Sequence, residues 1–228
     1  MRFFSIFAVL IILLTALNVE GGTVLKTEKD KLSYALGMDI GGSLKSQSID
    51  IDPDKFAKGV KDMVGGNKAL LTNEEFQATM TKFQQEMVAK QADQTKVIAE
   101  KNRAEGEAFL AENRKKDGVL TTDSGLQYIV LEEGSGDSPK ATDTVSVHYI
   151  GALINGTEFD SSYKRNQPAS FPVNGVIPGW TEALQLMKPG AKWKIFLPSD
   201  IAYGEKGAGQ QIGPNATLIF EVELLSIN

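Results

Sequence analysis

The sequence predicts an α+β protein: an all-α N-terminal region with one very long helix, followed by an antiparallel β-sheet wrapped over one short helix. Two observations predict this order. Apolar residues recur at helical spacing up to Met87 and no proline interrupts the following polar stretch, whereas alternating β-branched and aromatic runs, separated by Gly, Asn and Pro, begin at residue 118. Only one short helical segment, beginning at Pro178, interrupts the predicted strands.

The N-terminus has the composition of a secretory signal. Met1 and Arg2 precede an uncharged, mostly apolar run over residues 3–17, which is short for a membrane span. We therefore predict a signal peptide and a mature protein that is periplasmic or associated with the outer membrane. An uncleaved membrane anchor is the alternative, because residues 18–20 form a poor cleavage motif.

Three helices are predicted after the signal. The first begins near Thr27, and Pro53 opens the second. The third follows Thr72 and meets no proline before Pro139, so it can run for some forty residues. At about 1.5 Å per residue such a helix is roughly 60 Å long, which exceeds the usual helix of a compact domain.

The first half of the third helix has an apolar seam, formed by Phe76, Met80, Phe83 and Met87 at steps of four and three residues. This seam and two short helices offer too little apolar surface for an independent core. We therefore predict a homodimer formed through residues 23–90. The alternative is a monomeric helical subdomain in which the first two helices bury the seam.

The second half of the third helix is mostly polar and predicts a solvated spacer that can bend at Gly106. The composition changes at Asp117 and Gly118, where we place a domain boundary. The predicted division is a signal peptide over residues 1–22, a helical dimerisation region over 23–117 and a sheet domain over 118–228.

The sheet domain is predicted from short alternating runs, and Asn155-Gly156 marks a hairpin turn between two of them. The predicted strands cover residues 126–131, 144–154, 157–160, 169–173, 192–197 and 217–226.

Composition excludes several classes of function. The net charge is -5 and no basic cluster is interleaved with aromatic residues, so nucleic acid is not expected as a partner. The chain has no Cys and a single His, His148, which excludes thiol chemistry and the usual multi-His metal site. We expect no metal and no cofactor. A hydrolase is disfavoured, because the sequence contains no Gly-x-Ser-x-Gly elbow.

The segment from Val176 to Leu184 predicts the floor of a pocket. Pro178 and Gly179 end an extended run, and a short helix then begins with Trp180 in its first turn. The alternative is that the Trp180 ring only fills the core, as buried aromatic rings commonly do.

Several motifs occur together and in order along about 110 residues. They are Val147-His148-Tyr149, Gly156 to Ser162, Val176 to Trp180, Ala202-Tyr203-Gly204 and Ala216 to Leu225. With these motifs the chain resembles the FK506-binding-protein (FKBP) family of peptidyl-prolyl cis-trans isomerases. The N-terminal part, with Tyr34 to Gly37 and the long helix, resembles the dimerisation region of the macrophage infectivity potentiator and FkpA-like branch.

The resemblance implies a hydrophobic pocket with Trp180 at its base, beside Asp160 and Arg165. In the family, the backbone N–H at the Ile177 position and the hydroxyl at the Tyr203 position hold ligand carbonyls. The residues implied to be catalytic are Asp160, Tyr203, Ile177 and Trp180, and those implied to bind substrate are Tyr149, Phe159, Arg165, Val176, Ile212 and Phe220.

Two positions depart from the family pattern. Ala169 occupies a place where some relatives have an aromatic wall, which predicts a wider pocket. Ala208 lies in a loop where others have a His, which changes only a peripheral contact.

The activity implied is rotation about Xaa-Pro bonds in folding secreted or periplasmic proteins, together with chaperone activity. The implied partners are proline-containing proteins and macrolide inhibitors of the tacrolimus and rapamycin type. We further hypothesise that Asp160 orients Tyr203 or Arg165 and does not transfer a proton. The alternative function is a chaperone or binding module that uses the same pocket with little catalysis.

Overall fold

The structure, a computed structural model, describes residues 24–228, and the predicted signal peptide lies outside these residues. Contacts divide the chain into two compact units, one ending at Asn73 and the other spanning Glu74–Asn228. Between residues 24 and 228, no helix has both the length and the apolar character needed to cross a membrane.

The first unit contains helix α1 (Glu28–Ser46) and helix α2 (Pro53–Val64). Thr27 caps α1 by accepting a hydrogen bond from the Asp30 N–H at 3.1 Å, and the Asp30 side chain completes the capping box. The apolar side chains of α1 and α2 stay exposed within this single chain, with Leu32 at 61% and Met63 at 61% of their full accessibility. Exposed apolar patches of this kind mark protein–protein or membrane interaction sites.

Helix α3 (Asn73–Asn113) is 41 residues long, which confirms the predicted very long helix. Its seam is exposed at Phe76 and Met80. The prediction that its second half is a solvated, bending spacer is wrong for the last two turns, where Gly106, Leu110 and Asn113 are buried. These turns pack on the sheet, and they belong to the same compact unit, Glu74–Asn228.

The second unit has a seven-stranded sheet in which every pairing is antiparallel. The strand order is β1-β2-β6-β7-β3-β4, and β5 also pairs with β3. The strands are β1 (Leu120–Thr121), β2 (Gln127–Glu132), β3 (Thr144–Leu153), β4 (Glu158–Ser161), β5 (Ala169–Pro172), β6 (Lys192–Leu197) and β7 (Leu218–Ile227).

Helix α4 (Pro178–Leu186) packs on the apolar face of this sheet. Alternate residues of β3 and β7 point to the same face, so Val147 and Val222 lie in one buried cluster with Ala183 and Leu184 of α4. This arrangement confirms the predicted fold class. Strand β1 and three short 3-10 helices were not predicted; the latter are Val173–Gly175, Ser199–Ile201 and Gly204–Lys206.

Candidate active site

An open cavity of about 820 Å³ lies between the start of α4, the sheet and the loop after Tyr203. It brings together every residue predicted for the pocket except Arg165, which does not line the cavity but donates a hydrogen bond to the Tyr149 hydroxyl. Six further lining residues were not predicted to belong to the pocket: Phe171, Gly175, Ala208, Gly209, Gln210 and Gln211.

Trp180 forms the floor of the cavity. Its indole ring meets three aromatic rings edge-on: Tyr149 at 5.2 Å between centroids, Phe220 at 5.3 Å and Phe171 at 6.0 Å. Such edge-to-face pairs are favourable because the positive edge of one ring faces the negative face of another. Phe159 extends the wall by packing edge-on against Phe220 at 5.6 Å.

The start of α4 fixes the position of Trp180. Pro178 occupies the first turn, where its missing N–H is not needed, and Ile177 is the N-cap with extended backbone angles. Gly179 allows α4 to approach β6 closely, since a Cβ there would lie 2.5 Å from the Leu197 Cδ2. Thr181 adds a hydrogen bond from its hydroxyl to the Val173 carbonyl at 2.7 Å.

A polar network stands at one side of the cavity. The Tyr149 hydroxyl donates to the Asp160 carboxylate, whose other oxygen pairs with Arg165. The Arg165 Nη2 also donates to the Tyr149 hydroxyl at 2.9 Å, and its guanidinium lies 5.6 Å from the centre of the Tyr149 ring. Asp160 was predicted to orient Tyr203 or Arg165. It contacts Arg165, and its second partner is Tyr149.

The network shifts the acidities of its members. Burial raises the pKa of Asp160, but the hydrogen bonds from Tyr149 and Arg165 lower it more, so that its pKa lies below the ordinary value of 3.8. Burial, followed by the hydrogen bond to Asp160, raises the pKa of Tyr149 above 10.0. At neutral pH the site therefore contains a carboxylate and a neutral phenol.

Two hydrogen-bond donors that line the cavity are free, and a third is buried without an acceptor. Within residues 24–228, neither the Ile177 backbone N–H nor the Tyr203 hydroxyl has a partner, and both residues line the cavity. Tyr203 is 40% exposed. The indole N–H of Trp180 is buried and likewise has no acceptor in the described part of the chain. Buried donors are normally paired, so the unpaired Trp180 N–H is unusual, while the Ile177 and Tyr203 donors are open to a ligand in the cavity.

Phe171 supplies an aromatic wall to the cavity close to Ala169, the position at which an aromatic side chain found in some relatives is missing. Ala169 packs against the core and does not line the cavity, whereas Phe171, two residues further along β5, does. Both residues lie on the same face of the strand, because side chains alternate with a period of two. Strand alternation could have identified Phe171 as a wall of the cavity.

No metal centre is found in the described part of the chain, residues 24–228, where no three His, Cys, Asp or Glu side chains gather. The cavity instead combines an aromatic floor, two free donors and one carboxylate network. This arrangement can bind an apolar ring and polarise a neighbouring carbonyl, and it lacks a nucleophile beside a base.

Comparison with known proteins agrees with this geometry. Residues 136–225 match the model of the FKBP-type peptidyl-prolyl cis-trans isomerase, and residues 29–130 match the domain amino-terminal to that isomerase. The chain is 48% identical to the outer membrane protein MIP of Legionella longbeachae over 213 residues, covering 93% of this chain and 91% of that protein.

Two further relatives give the same picture. The chain is 47% identical to the peptidyl-prolyl cis-trans isomerase Mip of Coxiella burnetii, over 94% of each protein. The crystal structure of FkpA from Escherichia coli superposes with a TM-score of 0.75 at 40% identity, covering 90% of this chain and 99% of that one.

Proposed function

The chain belongs to the FKBP-type peptidyl-prolyl cis-trans isomerases, and on that premise we propose that the cavity over Trp180 is the active site at which it rotates Xaa-Pro bonds. The observation that supports this assignment is the edge-on contact of the Trp180 indole with three aromatic rings beneath two free donors. A proline ring fits such a floor, since its apolar surface needs no hydrogen bond.

The chemistry requires no covalent step. Resonance in the amide gives a rotation barrier of about 18–20 kcal/mol, and unaided isomerisation takes tens to hundreds of seconds. Twisting the bond removes this resonance and reduces charge separation in the amide. An aromatic cavity that excludes water therefore favours the twisted amide over the planar one.

Each side chain has a distinct part in this scheme. The Ile177 N–H and the Tyr203 hydroxyl donate to carbonyl oxygens that flank the proline, and Trp180 supports the ring. Asp160 and Arg165 hold the Tyr149 ring in place and transfer no proton. The remaining walls, which exclude water, are Phe159, Val176, Ile212 and Phe220.

The test is the rate of cis-trans relaxation of an Xaa-Pro peptide with the mature protein, with and without tacrolimus. We expect acceleration that the macrolide blocks and that Trp180→Leu weakens, with Trp193→Leu as a matched control at the other Trp, which lies outside the cavity lining. The comparison is made at equal folded fraction, because each change removes a buried ring. A folded protein that binds the macrolide without accelerating the peptide would contradict the isomerase assignment of the cavity.

We also propose that residues 23–90 form a homodimer and that the pair acts as a chaperone for proline-containing clients. The exposed apolar side chains of α1 and α2 and the seam at Phe76 and Met80 support a second copy as the covering partner. Two cavities on one client raise its apparent affinity through effective concentration. Light scattering that gives the mass of a monomer would contradict the dimer.

The proposed division of the chain is a signal peptide over residues 1–22, a dimerisation region over 23–117 and an isomerase domain over 118–228. Export to the periplasm or the outer membrane follows from the signal, and the name of the Legionella longbeachae relative supports it. Mass spectrometry of the N-terminus of protein from the periplasmic fraction tests cleavage.

A further inference from the structure

The loop after Tyr203, which we call the rim loop (residues 204–216), connects the cavity with helix α3. On one side Ala208 to Ile212 line the cavity. On the other side the same loop contacts a turn of α3, around Asn102. The loop thus lies between the proposed active site and the helix.

Within itself the rim loop is held by few bonds. Ala208 and Ile212 exchange backbone hydrogen bonds of 2.8 and 3.1 Å, and the Asn215 N–H donates to the Gly204 carbonyl at 2.9 Å. Two longer bonds of 3.4 Å run from the Gly207 N–H to the Gly204 carbonyl and from the Ala216 N–H to the Gly213 carbonyl. The tip, residues 209–211, is exposed. A loop with so few internal bonds opens readily unless an outside contact holds it.

Helix α3 supplies that contact. The Asn102 side-chain amide donates to the Pro214 carbonyl at 2.8 Å, and the Asn215 amide donates back to the Ala99 carbonyl of α3 at 3.4 Å. Asn102 is a weak helix former in the middle of a long helix, so its helix propensity does not account for it. Its side chain is only partly exposed.

A glycine one turn further along allows the close approach. A Cβ at Gly106 would lie 2.2 Å from the Thr217 Oγ1, immediately after the rim loop. Glycine weakens a helix interior, yet here it brings the two segments close enough for the Asn102 hydrogen bond. The Asn102 hydrogen bond and the close approach at Gly106 both place α3 against the segment from Pro214 to Thr217.

We propose that Asn102 is a positioning residue for isomerisation: by holding the Pro214 carbonyl, it keeps the rim loop ordered at the mouth of the cavity. This inference rests on the proposed active site. If only the ordered loop binds substrate, the apparent KM is inversely proportional to the ordered fraction of the loop, whereas kcat does not depend on that fraction.

The experiment compares Asn102→Ala with Gln94→Ala in the full mature chain. Both changes replace an amide side chain of α3 by a stronger helix former, and Gln94 is exposed and lies outside the rim loop contact. Asn102→Asp is the second variant, since it keeps the size and removes the donor. Hydrogen exchange is measured at the Ala208, Ile212 and Asn215 amides, and peptide kinetics give KM and kcat separately.

We expect Asn102→Ala and Asn102→Asp to raise exchange at these three amides by roughly 2- to 10-fold, which is the usual effect of one lost hydrogen bond. KM should rise with kcat unchanged, by the factor by which the ordered fraction of the loop falls, and exchange in β6 and β7 should stay at the wild-type rate. Gln94→Ala should change none of these values.

Wild-type exchange at all three amides in Asn102→Ala would overturn the inference, and so would exchange rates that show a mostly open loop together with an unchanged KM. Both results leave an active wild-type enzyme and the proposed function intact. A wild-type chain without isomerase activity would instead contradict the proposed active site, and this inference with it.

Discussion

The Tyr149 hydroxyl donates a hydrogen bond to the Asp160 carboxylate, although the two residues lie 11 positions apart on neighbouring strands. The strands β3 and β4 that bring them together are joined by the Asn155-Gly156 turn, where Gly156 has a φ of 85°. Arg165 completes the triangle, so the Tyr149 ring is fixed beside Trp180 by two polar partners.

Asp160→Asn should lower kcat/KM for an Xaa-Pro peptide by roughly 2- to 10-fold, since it removes the charge that pairs with Arg165 and leaves Tyr149 less firmly oriented. The rate of peptide relaxation at limiting peptide concentration, divided by the concentration of protein, measures kcat/KM. Lys164→Ala serves as the control, because its ion pair with Glu158 lies outside the cavity lining. An Asp160→Asn variant with wild-type kcat/KM would contradict the positioning role.

The rate should not depend on pH between about 5 and 9. The pKa of Asp160 is lowered, so its carboxylate stabilises the folded network fully at any pH above its unfolded pKa of about 3.8. This stabilisation is lost as pH falls through the still lower pKa of the folded state. The pKa of Tyr149 is raised above 10.0, so its phenol stays neutral over the same range. The measurement is a pH profile of wild type and Asp160→Asn. An acid limb between pH 5 and 7 that Asp160→Asn removes would show that Asp160 transfers a proton.

Gly151→Ala should change the shape of the cavity by displacing two aromatic rings that line it. A Cβ at this position of β3 would lie 2.7 Å from both the Phe159 Cε2 and the Phe220 Cε1. Because the two rings must move, we expect an unfolding free energy lower by about 1–3 kcal/mol and weaker macrolide binding. Chemical denaturation and tacrolimus titration measure the two effects. Unchanged tacrolimus affinity would show that the rings move without altering the cavity.

The elements that the sequence predicts well are those set by local pattern. Strand alternation and the Asn155-Gly156 turn gave the sheet, and the ordered motifs gave nine of the fifteen residues that line the cavity. The two-residue strand β1 was missed because it is too short to show a period. The role of Gly106 was missed because it depends on Thr217, which is remote in sequence and near only in the fold.

Asn113→Ala should destabilise the second unit by about 1–3 kcal/mol, since it leaves a buried acceptor without a donor. The Asn113 amide donates to the Gln127 Oε1 at 2.9 Å, while the Gln127 Nε2 donates to the Leu110 carbonyl at 2.9 Å. Replacing both side chains, as in Asn113→Ala with Gln127→Leu, should cost less than the sum of the single changes. Additive losses in chemical denaturation would show that the two amides are not coupled.

Gly106→Ala should lower stability even though alanine favours helices. The substitution gains about 1 kcal/mol of helix propensity. The new Cβ would nevertheless lie 2.2 Å from the Thr217 Oγ1 and 3.1 Å from the Thr217 Cβ, and Thr217 is only 5% exposed, so rotating its hydroxyl does not relieve the contact. Overpacking of this kind costs about 1–3 kcal/mol, and we expect the upper part of that range, which gives a net loss of about 1–2 kcal/mol.

The matched control for Gly106→Ala is Gly59→Ala in α2, where a Cβ would meet no atom of residues 24–228 within 4 Å. The same chemical change should therefore be neutral or stabilising at Gly59 and destabilising at Gly106. Chemical denaturation followed by far-UV circular dichroism gives both values. Stabilisation at Gly106 as large as at Gly59 would mean that α3 does not approach Thr217 closely, and that the polar second half of the helix is the solvated spacer its composition suggests.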